Sequence, residues 1–61
     1  MFLVVFERKD EKPKENYYYP TIEDAALHFN LFRNDDSGLY NTISLIEERK
    51  GEYKILDTLC Y

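Results

Sequence analysis

The stretch Thr21–Arg33, TIEDAALHFNLFR, decides how the chain is read. Thr21 is a preferred helix N-cap, and Asp24 follows three residues later, a variant of the capping box. Glu23 and Asp24 put negative charge where the helix dipole is positive. Pro20 lacks a backbone donor and biases Tyr19 toward an extended conformation, so the chain enters the helix sharply. Ile22, Ala25, Ala26, Phe29 and Phe32 recur at helical spacing and form one apolar stripe. Leu27 and Leu31, four residues apart, widen that stripe or make a second apolar edge. Asn34-Asp35-Asp36-Ser37-Gly38 then supplies turn and cap residues that stop the helix. The spacing therefore predicts an amphipathic helix of about three turns.

Outward from the helix, the apolar runs read as strands. Phe2–Phe6 is rich in β-branched and aromatic residues and too short for a helix. Phe2, Val4 and Phe6 point one way and Leu3 and Val5 the other, the mark of a strand with both faces covered. Glu7–Asn16 mixes both charges with a proline and reads as a solvated loop. Tyr17–Tyr19 is an extended lead-in to the helix or a short additional strand. Segment 39–48 fits two periods. Ile43 and Leu45 share a strand face, whereas Leu39, Ile43 and Ile46 align on a helix. The β-rich content and the following turn around Gly51 favour the strand.

Two registers suit that hairpin. A turn at Arg49-Lys50 with left-handed Gly51 pairs residue 48 with 52 and collects Ile43, Leu45, Tyr53, Ile55, Leu59 and Tyr61 on one face. A two-residue turn at Lys50-Gly51 pairs Arg49 with Glu52 and Glu47 with Lys54. Burial favours the first, because exposed ion pairs contribute only about 0–1 kcal/mol. The expected fold is a single α+β domain over residues 1–61, a small antiparallel sheet in the order β-α-β-β packed on one amphipathic helix, with the 17–19 stretch as the optional extra strand.

Composition narrows the function. The chain has 61 residues and a formal net charge of −4, which disfavours non-specific nucleic-acid binding, a process driven by lysine and arginine. It contains one cysteine and one histidine, so neither an internal disulfide nor a His/Cys zinc set can form. No apolar run is long enough for a membrane span, and the first residues lack the basic region of a signal peptide. These features predict a cytoplasmic setting.

No catalytic constellation is expected. His28 reads as a surface histidine within reach of Asp24, and Cys60 as an incidental thiol. Asp35–Gly38 reads as a helix-stop turn, and the acidic doublets read as solvated faces. No cofactor or metal is expected.

TIEDAALHFNLF, together with Leu39-Tyr40-Asn41-Thr42-Ile43, resembles the first helix, turn and recognition helix of a helix-turn-helix domain. That resemblance implies a nucleic-acid-binding regulator over residues 21–46, with Tyr40, Asn41 and Ser44 facing the groove. The preferred expectation is a non-enzymatic protein-interaction module that binds a protein partner, a second copy of itself, or both. It is similar in size and acidity to small phage or mobile-element inhibitors of host proteins. Its candidate interface is Leu3, Val5, Ile46 and Leu56, which one helix cannot cover, with Tyr17 and Tyr18 beside them. On this reading Leu3→Lys leaves the monomer folded and abolishes association.

Overall fold

The computed structural model describes residues 1–61 and shows an α+β fold of one helix on a four-stranded antiparallel sheet. The elements in chain order are β1 (Phe2–Arg8), β2 (Glu15–Tyr19), α1 (Ile22–Leu31), β3 (Tyr40–Arg49) and β4 (Glu52–Cys60). The strand order is β2-β1-β3-β4. The apolar run of β1 is therefore central, as its two-sided hydrophobicity requires.

The helix begins as its sequence dictates. Thr21 is extended, and its hydroxyl accepts from the Asp24 backbone N–H at 3.3 Å. The reciprocal bond from the Asp24 carboxylate does not form, so only half of the capping box is built. The helix ends at Leu31, two residues before the predicted limit, and Phe32 serves as C-cap. An Asx turn follows, in which the Ser37 backbone N–H and hydroxyl both donate to Asp35 Oδ2.

The extended stretch before the helix is a full strand. Phe2 pairs with Tyr19 and Val4 with Tyr17, so β2 closes one edge of the sheet. Arg8, which donates to Asp10 and Glu15, ties the β1–β2 connection together. Segment 40–49 is strand throughout, so the recognition helix of the helix-turn-helix resemblance is not formed.

The β3–β4 hairpin departs from the preferred register. Arg49 pairs with Glu52 and Glu47 with Lys54 around a two-residue turn. Lys50 and Gly51 both have positive φ, 53° and 81°, the signature of a type I′ turn, whose twist matches that of the flanking strands. A β-bulge then shifts the pairing between Leu45 and Ile46: Ile46 pairs with Ile55, but Leu45 pairs with Asp57, leaving Leu56 as the extra residue. Leu59 still shares a face with Ile43, as expected. Tyr53 and Ile55 do not; they lie on the opposite face with Glu48 and Ile46. Turn geometry decided the register at the tip, and the bulge restored the core pattern beyond it.

Val4, Phe6, Ala25, Phe29, Ile43 and Leu45 form the core between sheet and helix. Phe6 is its aromatic centre, with edge-to-face contacts to Phe32 (4.9 Å between ring centroids) and Tyr17 (5.5 Å). The helix packs on β1, β3 and β2 and does not reach β4. No helix is long and apolar enough to cross a membrane.

Candidate functional site

With α1 covering one side of the sheet, the pairing places Leu3, Val5, Tyr18, Ile46, Tyr53 and Ile55 on the other. Directly paired residues share a face, and faces alternate along each strand. Leu3 lies between Tyr18 on β2 and Ile46 on β3. Ile46 in turn faces Ile55 on β4. An apolar row thus runs across all four strands. Asn16, Glu7, Thr42, Ser44, Glu48 and Thr58 continue the same face as polar surroundings.

The structure brings together four of the expected interface residues, Leu3, Val5, Ile46 and Tyr18. Leu56 sits at the bulge between Ile55, on this face, and Asp57, on the other. Tyr17 is separated from the group: it faces the helix side, meets Phe6 and His28 edge-on and donates to Glu15 Oε1 at 2.9 Å. That hydrogen bond holds the Tyr17 phenol above its ordinary pKa.

Leu3 is only 5% exposed, because its cross-strand neighbours stand on both sides of it. It forms the floor of the face. Leu3→Lys would bury a charge in the sheet and destabilise the monomer itself, contrary to the expectation from sequence. The accessible apolar side chains are Tyr53 and Ile55, 66% and 63% exposed, with Tyr18 and Leu56. Tyr53 and Ile55 are missed by the burial-based register. The signal that would have placed them is the charge alternation Glu47, Arg49, Glu52, Lys54 around Lys50-Gly51.

Both sheet edges are protected. β2 is only five residues long and is followed by Pro20. β4 is long and exposed, but it carries the bulge and Lys54, two features that discourage strand addition. The broad surface open to a partner is therefore a face.

His28 is not a surface histidine. It is half-buried against β1 and β2, with Phe6, Tyr17, Tyr19 and Phe32 around it. Its Nδ1 lies 2.6 Å from the Tyr19 hydroxyl, and Asp24 makes no bond to it. Burial lowers its pKa below the usual histidine value. Cys60 is an exposed free thiol at the end of β4. No group of three or more His, Cys, Asp or Glu side chains is placed to hold a metal ion. No known protein family matches the chain, nor does any curated protein or solved structure.

Proposed function

We propose that the chain is a small protein-interaction module that docks through the helix-free face of its sheet. The supporting observation is the apolar row of Tyr18, Leu3, Ile46 and Ile55, with Tyr53 beside it, on the face that α1 leaves uncovered; Tyr18, Ile55 and Tyr53 are its exposed members. An apolar centre with tyrosines and a polar margin is the usual composition of a binding surface. With both edges blunted, stacking of two sheets face to face is the arrangement that suits a symmetric pair. A small inhibitor occupying the surface of a host protein would use the same face. The reading assigns the chain no catalytic role. A cytoplasmic setting fits its single exposed thiol, which a reducing compartment preserves.

The test is light scattering over a concentration series, on the native chain and on Ile55→Lys. The expected result is a dimer that falls to the 7.4 kDa monomer in the variant, with the circular dichroism spectrum unchanged. A monomer at every concentration refutes self-association. The module reading as a whole fails if, in addition, the native chain retains no protein from a lysate that Ile55→Lys releases.

A further inference from the structure

A second surface lies on the helix layer, away from the open sheet face. Leu27 and Leu31 project one turn apart from α1 and remain 66% and 72% exposed. Isolated exposed leucines are ordinary. These two, however, line a shallow groove of about 320 Å³ completed by Tyr19, Asp24 and His28. Its volume lies at the lower end of the range for binding pockets.

The groove has a fixed wall and a charged end. The Tyr19 hydroxyl is bonded to His28 Nδ1, and the imidazole is wedged among Phe6, Tyr17 and Phe32. Nε2 has no hydrogen-bond partner within the fold. Asp24 stands at the other end beside Glu23, and neither carboxylate is in an ion pair. Their place in the first helical turn explains the charges alone. It does not explain the leucines next to them. Asp24 is the one carboxylate lining the groove, with Glu23 next to it in the chain, and the helix's neighbouring cation, Arg33, is engaged by Asn30 and Asp57. The electrostatic complement of this groove is cationic and its walls are aliphatic and aromatic.

We propose that the groove lined by Tyr19, Asp24, Leu27, His28 and Leu31 binds a short cationic amphipathic segment of a partner protein, an aliphatic side chain against Leu27 and Leu31 and a lysine or arginine against Asp24. The site is separate from the sheet face.

The probe is a fluorescein-labelled peptide of leucine and lysine only, titrated into the full ¹⁵N-labelled chain by anisotropy and by amide chemical shifts. Shifts centred on Tyr19, Asp24, Leu27, His28 and Leu31 are expected. Leu27→Ser/Leu31→Ser should weaken binding about tenfold or more, because both leucines lose their apolar contact with the occupant. Asp24→Asn should weaken it about two- to fivefold and flatten its salt dependence. Both variants replace exposed side chains, and unchanged circular dichroism verifies their folding. Ile55→Lys should bind the peptide normally, which separates this site from the sheet face. The proposal is overturned by shifts centred on Tyr18, Tyr53 and Ile55, by equal binding of the peptide with glutamate in place of lysine, by unchanged affinity in the leucine variant, or by no binding at all.

Discussion

Phe6 and Phe29 are equally buried, at 2% and 1% exposure, yet their rings have different company. Phe6 meets Phe32 at 4.9 Å and 81° and Tyr17 at 5.5 Å and 84°, with Tyr40 and His28 in tilted contact at 5.2 Å. Phe29 has one special neighbour, the Arg33 guanidinium 5.7 Å from its centroid. Replacing either ring with leucine keeps an apolar side chain in place and costs about 1–2 kcal/mol from altered volume. The two edge-to-face pairs of Phe6 add roughly 0.5–1.5 kcal/mol each. An exposed cation–π contact adds only about 0.5 kcal/mol for Phe29. Phe6→Leu should therefore cost about 2–5 kcal/mol and Phe29→Leu about 1.5–2.5 kcal/mol. A domain of this size has roughly 3–9 kcal/mol in total, so the first change removes a large part of it. Urea unfolding followed by far-ultraviolet circular dichroism reads the difference. With m near 1–1.5 kcal/mol/M, the Phe6→Leu midpoint should fall by roughly 2–3 M and the Phe29→Leu midpoint by about half that. Equal midpoints in the two variants would refute the reasoning and leave volume alone as the determinant of the core.

Three further outcomes are expected. Thr21→Ala removes the acceptor for the Asp24 N–H and should cost about 1 kcal/mol in the same urea titration. Lys50→Asn should stabilise the fold by about 0.5–1 kcal/mol, since Asn tolerates the left-handed backbone that Lys50 adopts at φ 53°; a lower melting temperature would count against the type I′ assignment. His28 has a folded-state pKa below its ordinary 6.5, so below that pH the unfolded chain takes up its proton first. Stability should be fully present above pH 6.5 and decline as pH falls through the folded-state value. Thermal melts of His28→Gln should lack that decline, and an unchanged slope in the variant would assign the effect to other groups.

Much of this architecture could be read from local signals. The cap at Thr21, the stripe from Ile22 to Phe32 and the apolar run of β1 each lie within one element, and each formed. The α+β class followed from them. Three features depend on more than the local pattern. The faces of Tyr53 and Ile55 turn on a residue count, because the bulge at Leu56 reverses the alternation on one side of it, and hydrophobic pattern alone cannot locate such a change. The environment of His28 comes from Phe6, Tyr17 and Tyr19 on two strands that precede the helix, so its own helix suggested a solvent-facing residue. The alternation within Phe2–Phe6 places Leu3 away from the helix. Its concealment depended on which strands flank β1, a matter of strand order.

The placement of β1 between β2 and β3 has a consequence for synthesis. Val4 must wait for Leu45, 41 residues later, before its second neighbouring strand exists. At about 5–20 residues per second, the ribosome leaves that side of Phe2–Phe6 without its partner for roughly 2–8 s. During that interval β1 has at most the short β2 hairpin to pair with, and its remaining edge is open. Long-range pairing of this kind also slows folding once the chain is complete. The most vulnerable moment of this protein therefore falls during translation, when its most hydrophobic strand is half-paired.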